Sequence, residues 1–547
     1  MKKYRIIVPS WSPLSVDMQA ETGSQYPAFI QLGGQSLYTH IVRIYESVKN
    51  EAEIVFVLPE HAPDLVLNHL VDFDVRTIRL AASRSIGDTV LSALVGVEPE
   101  QSVVVHMADT LLESNWFDGE NDVISVKLRS DLYRWTSVQK NSDGAIRVLT
   151  DRDHRSAGFE QMVCVGVFML SDGELFKCKL NSALAAPETG VDPFFSAIET
   201  YSNERAIELK KPQSWYDCGH IDSYYESRMS FHNLRHFNTL SYDAERGLVT
   251  KRSQNSEAFR HQVRWFKQVP DELASFLPRI YDSSDGSSPH ITMELLSIPT
   301  LGDLLVNNRL ELGAWNDVAR KIHHIQSLMH KYSFTSAVAE KIATEVYVGK
   351  TRVRIQQFCA QRPEAAHMWV SVSDQRISLN DVLATLDKYA EQAGLLSLES
   401  LAPIHGDMCF SNLMYDPRGR HIKLIDPRGE FSVPGIYGDP RYDKAKLMHS
   451  YAGGYDFIVS DHFDINVESS GCLNCVIARD EYHLKVQQIF DSALFTDNRE
   501  RLECDAIQAL LFLSMLPLHC DKPTRQLAML FTGLNLYGQN LTRRMEK

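Results

Sequence analysis

The hydrophobic pattern of this 547-residue chain changes near residue 230, which predicts two domains of different fold. Up to that point, short apolar runs typical of strands alternate with stretches typical of helices; YRIIVPS (4–10) and EAEIVFVLP (51–59) are two such runs. This alternation is typical of a mostly parallel, doubly wound sheet, whose ligands bind beyond the carboxyl ends of the strands. We therefore predict an α/β fold for residues 1–228, with its site near MADT (107–110).

The remainder of the chain has the pattern of a small β-rich lobe followed by a helical lobe. FNTLSYDAERGLVTKRS (237–253) predicts two strands joined by a turn at Gly247, because glycine readily adopts the backbone angles that tight turns require. We place the small lobe at residues 233–305 and the helical lobe at residues 306–547. In the helical lobe, strands are predicted only around the sequence IHGDMCFSNLMYD (404–416).

Composition and charge indicate which partners and which cellular compartment the protein can be expected to have. The formal net charge is −14 and the basic residues form no run, which disfavours nucleic acid and anionic membrane surfaces as main partners. The nine cysteines are scattered, as in a cytoplasmic protein with reduced thiols. The N-terminal apolar run ends at Pro9, too short for a signal peptide, and AIQALLFLSMLPLH (506–519) is too short for a membrane span. We expect a cytoplasmic protein, and a homo-oligomer is left open.

A set of oxygen-bearing side chains occurs in IHGDMCFSNLMYD and in the following RHIKLIDPRGEF (420–431). Phosphoryl transfer needs a carboxylate to orient and deprotonate the acceptor hydroxyl, together with oxygen ligands that hold Mg²⁺ on the nucleotide phosphates. A loop that carries Asp407 and, five residues later, Asn412 supplies one of each, and Asp426 on the next strand completes the metal site. The pattern predicts a phosphotransferase that uses ATP and Mg²⁺.

Residues 233–547 resemble the aminoglycoside phosphotransferase and choline kinase superfamily, which shares the two-lobed protein-kinase fold. The resemblance rests on His-Gly-Asp at 405–407, then an asparagine five residues after the aspartate, then Ile-Asp at 425–426. It implies a catalytic base, two ligands of the metal and its nucleotide, and a histidine that supports the loop. In this chain those residues are Asp407 as the base, Asn412 and Asp426 as the ligands, and His405 as the support.

Other positions complete the expected nucleotide site. A cation is needed on the α- and β-phosphates, and Lys251 in LVTKRS lies on a predicted strand of the small lobe. The same resemblance makes MELL (293–296) the hinge that receives the adenine, with Glu294 as a cofactor-binding residue, and makes Asp443 in YGDPRYDKAKL the anchor of the catalytic loop. One position departs from the family: the helix after Lys251 carries Gln262 where a glutamate would pair with the lysine.

The first half resembles a second family, the sugar-1-phosphate nucleotidyltransferases, which condense a nucleoside triphosphate with a phosphorylated sugar or alcohol. The resemblance begins with IIVPSWSPLSVDMQAETGS (6–24) and continues through VVVHMADT, VCVGVFML and GVDPFFSAIETY in the family's order. VVVHMADT implies Asp109 as one metal ligand, and SWYDCGHIDSYYES implies Asp217 as the second, beside Gly219. The resemblance implies Mg²⁺ and a second nucleoside triphosphate, such as CTP, as cofactors.

The phosphate-binding loop of the first half departs from that family. The family's loop is rich in glycine and carries an arginine, because backbone N–H groups and a cation must offset the charge of a triphosphate. Here residues 9–24 contain one glycine, Gly23, and no basic residue, while Asp17 and Glu21 add negative charge. The lysine expected after Tyr-Pro is replaced by Ala28. Two interpretations stay open: another part of the chain supplies the cation, or the domain has lost transfer and only binds.

Taken together, the motifs predict a small-molecule kinase acting on a sugar, amino alcohol or polyol hydroxyl, fused to a nucleotidyltransferase-like domain. The fusion is chemically consistent, because the kinase product could be the phosphorylated substrate that the other domain activates. The architecture resembles proteins of bacterial capsule or lipopolysaccharide biosynthesis, which is the expected pathway. Two alternatives remain: nucleotidyl transfer as the main activity with an auxiliary kinase, or a non-catalytic nucleotide-binding scaffold.

Overall fold

The computed structural model shows two compact units, Met1–Phe231 and His232–Lys547, each with a hydrophobic core of its own. The structure describes residues 2–32, 35–62, 73–98, 101–113, 121–130, 135–141, 144–149, 161–186, 190–232, 238–243, 246–253, 256–296, 298–308, 310–520 and 522–545.

The first unit is built on a large mixed sheet. Its described strands are β1 (Tyr4–Pro9), β2 (Gln31–Leu32), β3 (Gln35–Ser36), β4 (Ala52–Pro59), β5 (Val75–Leu80), β6 (Ser102–His106), β7 (Thr110–Leu112), β8 (Val123–Arg129), β9 (Ser137–Lys140), β10 (Ile146–Leu149), β11 (Gln161–Leu170), β12 (Glu208–Lys210) and β13 (Trp215–Asp217). Its described α-helices are α1 (Val16–Thr22), α2 (Leu37–Ile44), α3 (Ile86–Ala93), α4 (Gly173–Ala185), α5 (Pro193–Ser202) and α6 (Ile221–His232), and short 3₁₀ helices span Pro27–Phe29 and Glu46–Val48.

The large sheet combines a parallel half and an antiparallel half. Strands β6, β1, β4 and β5 lie side by side and run parallel, as the apolar runs predict. Strand β11, in contrast, pairs antiparallel with β6, β8 and β9. The prediction of a mostly parallel sheet is therefore wrong for this half. The described residues between β6 and β11 include the strands β7 to β10, and antiparallel neighbours do not need the long crossover that parallel neighbours require.

The order of the parallel strands creates a crevice at one edge of the sheet. Strand β1 lies between β4 and β6, so the chain leaves β1 towards β4 and β5 and later returns on the other side with β6. The segments that follow β1 and β6 therefore diverge, which is where doubly wound sheets bind ligands. The predicted MADT segment follows β6 directly and so lies at this crevice.

The second unit begins with a small sheet and continues mainly as helices. Its described strands are β14 (Asn238–Asp243), β15 (Leu248–Ser253), β16 (Ile280–Ser284), β17 (His290–Glu294), β18 (Phe334–Thr335), β19 (Trp369–Val372), β20 (Gln375–Ser378), β21 (Ser400–Pro403), β22 (Leu413–Asp416), β23 (His421–Leu424), β24 (Tyr437–Gly438), β25 (Phe463–Val467) and β26 (Leu473–Ile477). Its described α-helices are α7 (Ser256–Gln268), α8 (Leu301–Val306), α9 (Leu312–His330), α10 (Ala339–Ala343), α11 (Lys350–Gln361), α12 (Leu379–Gln392), α13 (Pro440–Tyr451), α14 (Tyr455–Val459), α15 (Glu481–Leu494), α16 (Asn498–Met515) and α17 (Pro523–Met545). A π-helical turn spans Thr344–Gly349, and 3₁₀ helices span Asp271–Phe276, Pro363–His367, Phe410–Asn412 and Leu516–His519.

Four antiparallel strands form the small sheet, in the order β14–β15–β17–β16. The predicted strand, turn and strand are confirmed: β14 and β15 pair, and Gly247 in the turn has a φ of 64°. Because β15 is flanked by β14 and β17, Lys251 lies inside the sheet, opposite Leu240 and Ile291. The predicted helix that follows is α7.

The helical lobe contains more strand pairs than the sequence predicts. Besides the β22–β23 hairpin there are the sets β18–β21–β24, β19–β20 and β25–β26. Each of these strands is two to five residues long, too short to show a clear alternation of apolar and polar residues. The β22–β23 hairpin pairs Leu413 with Leu424, so that Asn412 and Asp426 lie at its open end.

Within the described part of the chain, one helical segment, Asn498–His519, is long and apolar enough by length and composition to cross a membrane. Most of its apolar stretch is buried inside the fold, where Ile507, Phe512 and Leu516 belong to the main core of the second unit. A buried core helix has the same length and composition.

Candidate active sites

The loop that begins at His405 is held by a buried carboxylate of helix α13. The N–H groups of His405 and Gly406 donate to Oδ2 and Oδ1 of Asp443, at 2.6 and 2.7 Å. Burial raises the pKa of Asp443 to about 7, against the lowering effect of these two donors. Gly406 has a φ of 76°, and a Cβ on it would lie 1.9 Å from Cζ of Phe431, so the position requires glycine. Asp443 thus fixes the backbone that leads into Asp407.

His405 fills the space beneath this loop. Its ring is fully buried and packs edge-to-face against Trp265, with ring centroids 5.8 Å apart. The indole N–H of Trp265 donates to the carbonyl oxygen of Ile404 at 2.8 Å. Burial lowers the pKa of His405 to about 4, so the ring is neutral at physiological pH, and its Nδ1 accepts from the N–H of Asp407 at 3.3 Å. His405 therefore supports the loop without carrying charge.

The hairpin brings Asn412 and Asp426 next to Asp407. Nδ2 of Asn412 donates to the backbone carbonyl of Asp407 at 2.9 Å, and the N–H of Ile425 donates to the carbonyl of Asn412 at 3.0 Å. Asp426 has a φ of 56°, a left-handed conformation that a residue other than glycine adopts only where its surroundings impose it. Nζ of Lys251 lies 2.6 Å from Oδ1 of Asp426. The structure thus places these four predicted residues together.

The oxygen donors at this point suit a magnesium ion held on nucleotide phosphates. The side-chain oxygen of Asn412 and the second carboxylate oxygen of Asp426 accept no hydrogen bond from the described residues, and both are the hard donors that Mg²⁺ prefers. The described residues include no group of three or more His, Cys, Asp or Glu side chains that could hold a metal ion. A Mg²⁺ ion here would take two protein ligands and complete its shell with water and phosphate oxygens.

Two cations surround Asp407, and neither is predicted from the sequence. Nζ of Lys446 lies 2.9 Å from Oδ1 of Asp407, and Nη2 of Arg428 lies 3.8 Å from the same atom. Burial alone would raise the pKa of Asp407, but Lys446 and Arg428 hold it well below its usual range. The carboxylate therefore stays ionised at physiological pH. Lys446 follows Asp443 by three residues on α13, and this helical spacing in YGDPRYDKAKL is the signal that could have identified it.

The partner of Lys251 is Asp426 rather than a carboxylate of helix α7. At Gln262, where the family would have glutamate, the side-chain amide donates to the carbonyl oxygen of Pro427 at 3.2 Å. A Cβ on Gly429 would lie 1.9 Å from a backbone carbonyl oxygen of α7, so this helix packs directly on the segment after Asp426. The departure at Gln262 therefore replaces an ion pair with a neutral hydrogen bond and close backbone packing.

Glu294, the predicted hinge residue, ends strand β17 with its side chain already engaged. Its Oε1 accepts from the backbone N–H of Arg279 at 3.0 Å and from Nζ of Lys423 at 3.1 Å. Lys423 lies on β23, so the contact joins the small sheet to the hairpin of the helical lobe. An adenine bound at this segment would have to form hydrogen bonds with the backbone of residues 293–296 rather than with the Glu294 carboxylate.

In the first unit, Asp109 and Asp217 come together just beyond the end of β6. Asp217 ends β13, which pairs with β7 so that Asp217 lies opposite Thr110. The N–H of Cys218 donates to the backbone carbonyl of Asp109 at 2.7 Å. Gly219 occupies the narrowest point: a Cβ there would lie 2.6 Å from Oδ2 of Asp109 and 3.4 Å from Oδ1 of Asp217. The two predicted metal ligands thus border one small space.

Among the described residues that line the space around this pair of acids there is no lysine or arginine. Burial and the nearby Asp217 raise the pKa of Asp109 to about 6. Asp217 accepts from Nδ1 of His220 at 2.9 Å and from the N–H of Gly219 at 3.0 Å. Because two carboxylates at close range repel each other, a proton or a divalent cation shared by them would stabilise the site.

The acidic pair lies in a cleft of about 320 Å³ at the crevice of the large sheet. The segments after β1 and β6 contribute Ser10, Trp11 and Asp109, while Trp135 and Phe195 add aromatic surface. Among the described residues that line the cleft there is no lysine or arginine. The cation that a triphosphate requires is therefore not supplied by this lining.

A short capped helix replaces the glycine-rich loop of the nucleotidyltransferases. Helix α1 is capped at its start by Ser15, whose Oγ accepts from the N–H of Met18 at 3.2 Å, and at its end by Gly23, which has a φ of 68°. The N–H of Gln19 donates to the carbonyl of Ser15, and the N–H of Gly23 donates to the carbonyl of Gln19. These N–H groups are used inside the helix, so the unusual sequence of this segment corresponds to a different local structure.

No protein-family model matches the chain, and a search of curated proteins finds no match. Similar solved structures include a nucleoside-diphosphate-sugar pyrophosphorylase from Vibrio cholerae RC9, at 16% identity and a TM-score of 0.32, covering 41% of this chain and 99% of that one. An inositol-1-phosphate CTP transferase from T. maritima is 15% identical with a TM-score of 0.33, covering 43% of this chain and 97% of that one. A structure described as a fructosamine-3-kinase from Thermobifida fusca YX-ER1 is 14% identical with a TM-score of 0.30, covering 52% of this chain and 85% of that one. With TM-scores this low, function has to be inferred from the two sites themselves.

Proposed function

We propose that the unit His232–Lys547 is an ATP- and Mg²⁺-dependent phosphotransferase that acts on a hydroxyl group of a small molecule such as a sugar, an amino alcohol or a polyol. The observation that supports it is the convergence of Asp407, Asn412, Asp426 and Lys251 from separate stretches of the chain. Catalysis of phosphoryl transfer consists mainly of positioning and electrostatic stabilisation, and this set of residues supplies both.

In this proposal Asp407 orients the acceptor hydroxyl and takes its proton. The hydroxyl oxygen forms a bond to the γ-phosphorus, the bond from that phosphorus to the bridging oxygen breaks, and ADP leaves with the electron pair. Because Lys446 and Arg428 keep the pKa of Asp407 low, the proton moves late and orientation is the first task of the carboxylate. Lys251 binds the α- and β-phosphates. Asn412 and Asp426 would hold Mg²⁺, which would supply positive charge to the phosphates.

A second candidate function concerns the unit Met1–Phe231. The Asp109–Asp217 pair at the sheet crevice supports a divalent-cation site for nucleotidyl transfer, with CTP or another nucleoside triphosphate and the phosphorylated kinase product as substrates. The lack of lysine and arginine in the described lining, and the capped helix α1, instead favour a unit that binds its ligand without transfer. We place both units in the cytoplasm and, by sequence resemblance, in bacterial surface polysaccharide biosynthesis.

The test of the kinase function is an ATP-consumption screen over sugars, amino alcohols and polyols. It compares wild type, Asp407→Asn and the control Asp464→Asn, which changes an exposed aspartate on β25. We expect one acceptor class to increase ATP consumption in wild type and in the control. Turnover in Asp407→Asn should be lower by about 10²–10⁴-fold, the usual contribution of a positioned acid or base.

Equal ATP turnover in wild type and Asp407→Asn, with every acceptor and without one, would overturn the kinase function. Two further variants separate it from nucleotidyl transfer as the main activity. If nucleotide turnover survives Asp407→Ala and is lost in Asp109→Ala, the first unit carries the main activity. If wild type itself turns over no nucleotide with any acceptor, the protein is a binding scaffold.

A further inference from the structure

A cavity of the helical lobe, smaller than the cleft of the first unit, is lined by several side-chain donors, among them Arg428, which contacts Asp407. It has a volume of about 170 Å³, and Lys350, Arg428 and Tyr442 are among its lining residues. Within the described part of the chain, the ammonium of Lys350 and the hydroxyl of Tyr442 form no hydrogen bond or ion pair. The guanidinium of Arg428 has the 3.8 Å contact with Asp407 and no hydrogen bond there. Several N–H and O–H donors therefore line one small volume, and among the described residues none of them is hydrogen-bonded to an acceptor there.

The acids that line the same cavity are engaged with other partners. Glu430 accepts from Nδ1 of His261 at 2.9 Å. Glu345 accepts a hydrogen bond from the hydroxyl of Ser432. Both carboxylates are also exposed, so water screens their charge. They do not pair with Lys350 or Arg428, and the donors in the cavity keep their capacity to bind an anion.

The charge around Tyr442 indicates a positive potential in this volume. Tyr442 is buried, and burial alone would raise the pKa of its phenol. The cations Lys350, Arg428 and Lys446 outweigh that effect and lower the pKa of Tyr442. A positive potential that lowers the pKa of a buried phenol also favours the anion of a ligand.

The backbone beside the cavity is irregular, as is common at functional sites. Thr344–Gly349 forms a π-helical turn between α10 and α11, directly before Lys350, and π turns occur frequently where a helix serves a binding site. The lining comes from residues 345–350, from the segment 428–432 after Asp426, and from Tyr442; none of it comes from the small sheet that carries Lys251. The cavity thus lies on the helical-lobe side of Asp407, away from the predicted phosphate-binding lysine.

We propose that this cavity binds an anionic group of the acceptor, so that the substrate of the kinase is a hydroxy compound that already carries a phosphate or a carboxylate. The assignment of the bound molecule as the acceptor rests on the proposed kinase function. Lys350, Arg428 and Tyr442 donate to the anion. Because Arg428 lines the cavity and also contacts Asp407, the anion is held one side chain away from the catalytic carboxylate.

The first experiment measures anion binding with inorganic phosphate as the probe, independently of turnover. Thermal unfolding of the full chain is followed over a phosphate titration at constant ionic strength. The variants are Lys350→Gln, Lys251→Gln and the matched control Lys341→Gln, an exposed lysine on α10. We expect phosphate to stabilise wild type, the control and Lys251→Gln. In Lys350→Gln the apparent affinity should fall at least about tenfold, as expected for the loss of one charge-assisted contact.

Absence of stabilisation in wild type, or full stabilisation in Lys350→Gln, would overturn the anion site. Stabilisation that is lost only in Lys251→Gln would place the phosphate at the nucleotide position and would also overturn it.

The second experiment compares matched acceptors: glycerol with glycerol 3-phosphate, and ribitol with ribitol 5-phosphate. The anionic member of a pair should have the higher kcat/KM, by at least about tenfold, and Lys350→Gln should raise its KM more than it lowers kcat. Equal use of neutral and anionic members, dependent on Asp407 but not on Lys350, would refute the inference and leave the kinase function standing. Phosphate binding that requires Lys350, without any turnover that requires Asp407, would refute the kinase function and leave the anion site standing.

Discussion

Each unit places an aspartate a few residues beyond the end of a strand, yet the two acids have opposite electrostatics. Asp109 follows β6 and lies beside Asp217, with no lysine or arginine among the described residues lining its cleft, and its pKa is raised to about 6. Asp407 follows β21 and lies beside Lys446 and Arg428, and its pKa is held well below the usual range. Both carboxyl groups are partly buried, so burial alone does not explain the difference.

The contrast shows that charged neighbours decide what a strand-end aspartate can do. Asp407 is ionised at physiological pH and can orient a hydroxyl without first losing a proton. Asp109 titrates near neutrality, so it can hold a proton or exchange that proton for a divalent cation. Under the proposed function, the ionised Asp407 would serve phosphoryl transfer, whereas the occupancy of the Asp109 site would depend on pH and on metal.

The largest effect is expected for Lys446→Gln, which removes the closest counter-ion of Asp407. ATP turnover should fall about 10²–10³-fold, the typical loss when one charge-stabilising group is removed. The pKa of Asp407 should rise, and because the ionised form is the active one, the acid limb of the kcat/KM profile should move to higher pH. The profile is measured between about pH 3 and 9, because the pKa of an unperturbed aspartate is about 3.9 and that of Asp407 is held below it.

The matched control for this prediction is Lys485→Gln, which changes a half-exposed lysine on α15. Its profile should coincide with that of wild type. A loss of turnover in Lys446→Gln with an unchanged acid limb would show that Lys446 acts structurally rather than through the charge of Asp407.

Each site also has a glycine whose neighbours leave no room for a Cβ: Gly406 in the second unit and Gly219 in the first. Alanine at either position should disable only the site to which that glycine belongs. In Gly406→Ala the new Cβ would overlap Phe431 and the positive φ would be strained, so ATP turnover should fall about 10²-fold and the free energy of unfolding should fall by about 1–3 kcal/mol. In Gly219→Ala the Cβ would displace Asp109, so Mn²⁺ binding by the first unit should weaken while ATP turnover is unchanged.

Gly313→Ala is the control for both substitutions, because nothing lies within 4 Å of the added Cβ and the residue is in helix α9. Gly313→Ala should leave ATP turnover and Mn²⁺ binding unchanged, and it should raise the free energy of unfolding slightly. Loss of Mn²⁺ binding in Gly406→Ala, or of ATP turnover in Gly219→Ala, would mean that the two sites are not independent.

A smaller effect is expected for the pH dependence of Mn²⁺ binding at Asp109. The carboxyl is protonated below a pKa of about 6 and ionised above it, so the proton competes with the metal at low pH. The affinity for Mn²⁺ should fall about tenfold between pH 7 and pH 5, measured by calorimetric titration. The same raised pKa predicts that the stability contributed by this group is present at low pH and is lost as the pH rises from about 4 through 6.

Asp109→Asn should remove both pH dependences, whereas Asp464→Asn should preserve them. Mn²⁺ affinity in wild type that does not change over this range would show that Asp109 is not a ligand.

The smallest effect is expected for Gln262→Glu, which restores the acid that the family would have on helix α7. The new carboxylate has no N–H to donate to the carbonyl oxygen of Pro427, so two acceptor oxygens would face each other. The free energy of unfolding should fall by about 1 kcal/mol. ATP turnover should change less than about threefold, because Lys251 already has Asp426 as its partner. A large gain in turnover would instead show that the missing glutamate limits activity; Gln268→Glu at the end of the same helix is the control.

The features of the fold that could be predicted are those specified by local pattern. The run EAEIVFVLP forms β4, and the glycine turn at Gly247 joins β14 to β15, because apolar runs and turn residues act over a few positions. The antiparallel placement of β11 and the short hairpins of the helical lobe were not predictable. A strand's partner depends on how the whole chain returns to the sheet, and very short strands carry too little pattern.

The residues of the candidate sites likewise include some that the sequence identified and some that only the structure revealed. Spacing within one short stretch identified Asp407, Asn412 and Asp426, which the hairpin does bring together. Lys446 and Arg428 were missed because their proximity to Asp407 arises only when α13 and the segment after β23 fold back over the loop.

Local sequence was enough to identify the acids that follow strands in each unit. It also gave the spacing that links Asp407 to Asn412 and Asp426. The charge each acid carries was set by the fold, since a carboxyl pKa responds to burial and to groups a few ångströms away in space, however distant they are in the chain. For Asp109 that neighbour is another acid, and for Asp407 it is a pair of cations.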